Sequence, residues 1–187
     1  YFTGGFAGVP IWVVRGYHRA GPGGTGSAKA GGNYAASLLP QIEAERRGFS
    51  QVCFLDTYEE KYLEELGGMN MFVVMADGSV RTPELSGVIL EGCTRSAILR
   101  LLRDDGVDVS EERIALDDLV AGIRSGAVAE VFACGTAAVV TPISRLASDD
   151  FDVELPVGDL TRRIHERLTD IQMGRAEDPY GWTYRLV

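Results

Sequence analysis

Lysine is scarce in this chain. Only Lys29 and Lys61 occur among its 18 basic residues, and the rest are arginine. Lys29 lies in the middle of Gly23–Tyr34 (GGTGSAKAGGNY), where five of the twelve residues are glycine. Glycine tolerates positive φ and lets other groups come close to the backbone. An amine, unlike a guanidinium, can give up its proton or form a Schiff base with a carbonyl. The pattern therefore fits a chemically active amine beside close-approach glycines. It also fits a solvated lysine in a flexible loop, and the loop taken alone favours that plainer alternative.

Two other uses of a glycine-rich lysine loop fail on spacing. A phosphate-binding P-loop needs Lys directly after its last Gly, followed by Ser or Thr. Here Ser27 and Ala28 separate Gly26 from Lys29, and Ala30 follows. A dinucleotide fingerprint needs a helix opening on the glycines within a βαβ unit, which the flanking sequence does not supply. A second chemical stretch is Glu65–Phe72 (ELGGMNMF), an acid followed by two glycines and an asparagine entering an apolar run. By itself it reads as readily as a solvated charge run ending in a turn. Gly92-Cys93-Thr94 opens an expected helix, either an ordinary helix start or an anion site at free N–H groups. Gly135–Ala137 is a turn between two apolar runs.

The elements that must position these residues follow from periodicity and turn chemistry. Strands are expected at Val9–Arg15, Gln51–Leu55, Met69–Met75, Val80–Thr82, Glu112–Leu116 and Val128–Cys134. Asp77-Gly78 is a hairpin signal, and Ala138–Ile143 should pair back onto Val128–Cys134. Helices are expected over Tyr34–Arg47, about Thr94 to Arg103, Asp117–Arg124, and from a capping Asp159 to about Met173. Pro40 implies a kink or break near Leu39. Tyr58–Leu66 reads as a charged stretch, and the tail Arg175–Val187 as aromatic and irregular. Interleaved elements with antiparallel hairpins predict an α+β or mixed α/β sheet domain, not a doubly wound parallel one.

Composition narrows the function classes. The 187 residues are 45% hydrophobic and 24% charged, as in a globular protein with one sizeable core. A net charge of −9 argues against nucleic acid or an anionic membrane as the main partner, though not against one local anion site. No apolar run approaches a membrane span, and no signal-peptide pattern is visible. Cys53, Cys93 and Cys134 are odd in number and far apart, which favours free thiols in a reducing compartment and hence a cytoplasmic location. His18 and His165 make no metal site by themselves. Cys53 reads as a buried strand residue, and no thiol is given a catalytic role.

Taken in series, the motifs resemble the class-IV pyridoxal-phosphate (PLP) aminotransferases. The matching positions are Glu65, Gly67, Asn70, Met71, Phe72, Val80, Thr82, Leu90, Gly92 and Arg95, with Cys93 where an aliphatic residue is usual. The segments Gly23–Leu38, Thr82–Gly92, Glu130–Ile143 and Ile171–Gly174 are similar to those of branched-chain amino-acid aminotransferases, in the same order. The resemblance implies the large domain of the fold-type IV enzymes, a mixed sheet or pseudo-barrel with flanking helices. Residues 1–20 would be the end of an interdomain connection and the first strand. Since the chain starts at Tyr1, the family's N-terminal small domain is expected to be absent.

The resemblance also implies roles. Lys29 would form the Schiff base with PLP and move the proton during transamination. Tyr34 would bond the cofactor's phenolic oxygen, and Glu65 its pyridine nitrogen. The N–H groups of Cys93 and Thr94, with Thr136, would hold the phosphate; Thr136 and the Ala137 N–H would meet the substrate carboxylate. The redox CxxC that some members carry after the Gly-Thr-Ala turn is missing, because Ala138, Val139 and Val140 follow Ala137. The implied reaction is ping-pong transamination of leucine, isoleucine or valine with 2-oxoglutarate by a homodimer. D-amino-acid aminotransferases and aminodeoxychorismate lyases share the fold type and remain alternatives. So does a shortened, non-catalytic binding or assembly module.

Overall fold

The computed structural model describes residues 6–186. Residues 1–5 of the expected connecting stretch, and Val187 of the tail, lie outside the described residues. The elements run β1 (Val9–Val13), α1 (Gly31–Arg46), β2 (Gln51–Leu55), β3 (Leu63–Leu66), β4 (Asn70–Met75), β5 (Val80–Pro83) and α2 (Cys93–Asp104). There follow β6 (Val109–Glu112), α3 (Leu116–Ser125), β7 (Val128–Gly135), β8 (Val139–Ala147), β9 (Asp152–Glu154) and α4 (Asp159–Gln172).

The strands join one mixed sheet in the order β3-β2-β1-β8-β7-β4-β5-β6, with β9 also on β8. Pairs β1/β2, β1/β8 and β5/β6 are parallel; β2/β3, β4/β5, β4/β7, β7/β8 and β8/β9 are antiparallel. β8 belongs to both halves: Val139–Pro142 pairs with β7, and Ile143–Ala147 with β1. A tight turn joins β3 to β4, in which Leu66 N–H donates to Met69 O at 2.9 Å. The result is a half-barrel of the expected mixed class.

Alternation along the strands sorts the core into an inside and an outside. Ile11, Val13, Cys53, Leu55, Met71, Val73, Val131 and Ala133 fill the interior. Phe72, Val74, Phe132 and Cys134 face outward onto Ile98 and Leu102 of α2 and Ile164 and Leu168 of α4. Val52 and Phe54 face Ala44 of α1. Met71 and Phe72 are core residues, and so, as expected, is Cys53; Met69 belongs to the core and also lines a cavity.

Five expectations on local structure need correction. α1 starts at Gly31 and runs unbroken through Pro40. The missing proline N–H costs about 3 kcal/mol in a helix interior; Pro40 and Ala44 are buried, and the packing of α1 on β2 offsets that cost. The strand expected at Glu112–Leu116 lies earlier, at Val109–Glu112, and Leu116 already begins α3. The end of the charged stretch Tyr58–Leu66 is a fully buried strand, β3. β9 has no counterpart among the expected elements, since three residues carry too little pattern. Asp159 does not cap α4: the N-cap is Gly158 and makes no side-chain bond. Glu130 of β7 caps that helix instead, accepting from Leu160 N (3.1 Å), Thr161 N (2.8 Å) and Thr161 Oγ1 (2.6 Å).

Candidate active site

A β-bulge places the first carboxylate. Cys53 pairs with Leu66 and Leu55 with Leu63, so Glu64 and Glu65 together oppose Phe54. An extra residue of this kind re-aims side chains. It lets Leu63 and Leu66 both enter the interior core while Glu65 lines a cavity. Glu65 is 3% exposed. Its Oε1 accepts from Leu90 N at 2.8 Å and pairs with Arg19 Nη2 at 2.5 Å. Burial pushes the Glu65 carboxyl up to about 7, opposed by Arg19, the Leu90 N–H and Arg95.

Arg19 carries no distinguishing signal in the sequence, yet it organises this end of the molecule. It is 4% exposed. Besides Glu65, its Nη2 donates to Gly26 O (2.7 Å) and Val88 O (2.6 Å). One guanidinium thus ties the glycine-rich loop, the carboxylate and the segment before α2 together. Gly26 must be glycine here, because a Cβ would lie 2.4 Å from Val88 O. Asn33 of α1 completes the hold on the loop: its Nδ2 donates to Thr25 O (2.8 Å) and Ala28 O (2.9 Å), and its Oδ1 accepts from Thr25 Oγ1 (2.8 Å). The loop is bonded in place on both sides of Lys29. Among the described residues, the exposed Lys29 amine itself has no hydrogen-bond or ion-pair partner.

The cavity measures about 930 Å³ and is lined by Lys29, Tyr34, Glu65, Cys93, Thr94 and Thr136, among others. Six of the expected site residues, spread over the glycine-rich loop, α1, β3, α2 and the β7–β8 turn, therefore share one space. The pairing of Asn70 with Cys134 brings the β4 entry beside the Gly135–Thr136 turn. Ala137 lies in an adjoining cavity of about 400 Å³, which it shares with Lys29, Tyr34 and Thr136.

The opposite wall is the start of α2. Gly92, its N-cap, has φ 73° and makes no side-chain cap bond, and the first turn holds no acid. A Cβ at Gly92 would lie 2.1 Å from Asn70 Oδ1, so the close approach requires glycine. Ser96 N donates to Gly92 O at 2.9 Å, which leaves the earlier N–H groups of Cys93 and Thr94 without a helical acceptor. Asn70 Nδ2 donates to Leu90 O (2.8 Å) while Leu90 N donates to Glu65, so the peptides around Leu90 are held from both sides.

Two motif residues belong to the scaffold. Thr82, fully buried, donates to Met71 O at 2.7 Å. Arg95, 1% exposed, donates to Pro83 O (3.0 Å) and pairs with Glu111 (2.9 Å), holding α2 against β5 and β6. The buried Cys53 and Cys134 thiols are both raised by desolvation, Cys53 to about 12, whereas Cys93 is exposed. No described helix is long and apolar enough to cross a membrane, and no metal-ligating cluster occurs among the described residues.

An uncapped helix N-terminus, a buried carboxylate and an unpaired amine on one cavity suit an elongated ligand. Its anionic end would meet α2, a cationic ring N–H would meet Glu65, and a carbonyl would meet Lys29. Residues 12–146 match the family model described as amino-transferase class IV. A branched-chain-amino-acid aminotransferase of Mycobacterium tuberculosis is 50% identical over the whole of this chain and 52% of its own length. The branched-chain-amino-acid transaminase 1 of Bacillus subtilis is 46% identical over 95% of this chain and 51% of its own. A solved T.th. branched-chain amino acid aminotransferase with pyridoxamine 5'-phosphate superposes with a TM-score of 0.80 at 34% identity, covering 95% of this chain and 56% of that one. The chain spans about half the length of the curated relatives it matches.

Proposed function

The chain belongs to the class IV aminotransferases, and we propose that its cavity binds PLP and serves the transfer of an amino group between a branched-chain amino acid and a 2-oxo acid. The observation that carries the reading is the shared cavity, with the Lys29 amine, the Arg19-held Glu65 carboxylate and the open α2 N-terminus on its walls. When bound, PLP supplies an aldehyde that takes up amines and a pyridine ring that draws electrons away from the neighbouring carbon.

The chain's own residues divide the work. Lys29 Nζ would hold the cofactor at its aldehyde carbon, and the same amine would be the group placed to carry the substrate proton. The lack of a partner for Nζ supports this role. Glu65 binds the ring N–H, and a cation there would favour its charged form, against the burial that raises its pKa. Arg19 and the Leu90 N–H leave that carboxylate one way to face. The Cys93 and Thr94 N–H groups and Thr136 bind the phosphate. Tyr34 orients the ring through its phenolic oxygen. Thr136 and the Ala137 N–H bind the substrate carboxylate, in keeping with the adjoining cavity.

The named relatives support leucine, isoleucine or valine as amino donor. With them go 2-oxoglutarate as acceptor, ping-pong exchange and a homodimeric assembly. The chain as a whole serves as the PLP-binding large domain, its residues up to about 20 holding the end of an interdomain connection and the first strand, β1.

The test is to incubate the chain with PLP, reduce with borohydride and map the labelled peptide, then assay leucine with 2-oxoglutarate. Label on Lys29 and amino transfer from leucine are expected. Label elsewhere, or none, overturns the cofactor assignment. Turnover of D-alanine in place of leucine overturns the substrate assignment. In the Lys29→Ala variant, label disappears and turnover falls by about 10²–10⁴-fold.

A further inference from the structure

The tail after α4 contains no helix or strand, yet residues 178–183 are fastened at several points. The Asp178 carboxylate accepts from Tyr180 N (3.1 Å), Thr183 N (2.7 Å) and Thr183 Oγ1 (2.8 Å). Tyr180 stacks on Trp182 with centroids 4.2 Å apart, and the Arg100 guanidinium lies 5.4 Å from the Tyr180 ring. The Tyr180 hydroxyl donates to Asp104 at the end of α2, and its ring packs on the outer core. Fixing irregular backbone costs conformational entropy, so such a segment needs contacts that hold it.

Trp182 and Thr183 line the same cavity as Cys93 and Thr94, whose N–H groups open α2, and as Arg100, Ile171 and Gln172. Trp182 is still 41% exposed. A large aromatic side chain held half-bare at a cavity wall gains cover when the cavity fills. N–H groups and an anion also attract more strongly where water is kept out. From these observations we infer that residues 178–183 form a strap over the phosphate end of the cavity, and that Trp182 is a binding residue for the phosphate-bearing cofactor. The inference rests on the PLP reading above. It assigns the strap a role that the Lys29, Glu65 and α2 groups do not fill: closing the phosphate end against solvent.

The chain has two tryptophans, so a Trp12→Phe parent leaves Trp182 as the sole tryptophan emitter. Trp12 packs against Phe49 and Arg47 and is not among the residues that line the cavity. In the parent, PLP, which absorbs where tryptophan emits, should quench the emission and saturate with the Kd found by equilibrium dialysis. Trp182→Ala, made in the unsubstituted chain, should bind PLP roughly tenfold more weakly. Pyridoxal, which lacks the phosphate, should lose much less, and Trp182→Phe should restore most of the PLP affinity. Thermal melting without ligand checks that each variant is folded. A folded Trp182→Ala chain with unchanged PLP affinity overturns the inference, and so do equal losses for PLP and pyridoxal. If the parent takes up no PLP and no borohydride label at Lys29, the proposed function itself fails and the strap's role falls with it. Label at Lys29 with no effect of Trp182 sinks the strap alone.

Discussion

Helices α2 and α4 begin alike and end up in different work. Each starts after a glycine N-cap, Gly92 or Gly158, that makes no side-chain cap bond. Each therefore presents N–H groups without a helical acceptor and a partial positive charge. At α4 the need is met inside the protein, where the buried Glu130 carboxylate takes two N–H groups and the Thr161 hydroxyl. Even the glycine is dictated by that contact, since a Cβ at Gly158 would overlap the Glu130 carboxyl. At α2 the first turn has no acid and faces the cavity. The same backbone feature is a structural joint where a carboxylate has been built in, and an open helix start on the cavity where none has.

The comparison breaks most visibly at its closed side. Glu130→Ala should lower stability by about 2 kcal/mol, because buried donors lose their acceptor. Differential scanning calorimetry should read this as a drop of roughly 4–8 °C. PLP affinity should stay within about twofold of the parent's, about 0.4 kcal/mol, and a large loss would show that the two helix starts are not independent. A smaller effect is expected at the open side. Thr94→Asp puts an acid in the first turn of α2, which should stabilise the ligand-free chain by about 0.3–1 kcal/mol. The same change should weaken PLP binding by roughly tenfold or more, through like charge and through competition of the new carboxylate for the open N–H groups. Opposite signs in melting temperature and affinity are the signature sought; a fall in both would remove α2 as the anion site.

The smallest effect concerns a buried carboxylate without such donors. Glu64 is 6% exposed, and its Oε2 has no hydrogen-bond partner. Burial, then the charge of Asp56, raise its pKa from 4.5 to about 7, with Arg19 opposing and Glu65 adding to the rise. The folded chain then binds more protons than the unfolded one between these values, so this group makes stability fall as pH rises from about 4.5 to about 7. Glu64→Gln should flatten part of that fall and raise the melting temperature above pH 7, leaving Glu65 to account for the remainder. An unchanged pH profile would show that Glu64 is not held in its proton-binding state.

The residues of the site are more legible in the sequence than the contacts that place them. Lys29, Tyr34, Glu65, Cys93, Thr94 and Thr136 can be named because the segments that carry them resemble a known family in series. Arg19 cannot, because one arginine among many gives no sign that it will be buried against a carboxylate from β3. The strand β3 itself is hidden: two adjacent glutamates look solvated until a bulge and an arginine make their burial tolerable. Pro40 misleads in the other direction, since local propensity does not include packing on β2. Trp182 gives no chemical signal at all within an irregular tail.

The sequence by itself determined the half-barrel's alternation, the hairpins, the loop with its lone amine and the glycines at close approaches, because these depend on neighbours in the chain. Only the tertiary structure decided which helix start stays open and which buried carboxylate is held by an arginine and an N–H. Those outcomes depend on long-range partners, Glu130 for α4 and Arg19 for Glu65. A buried donor or charge is settled by whatever the fold brings within hydrogen-bonding distance, and that is not written in the adjacent residues.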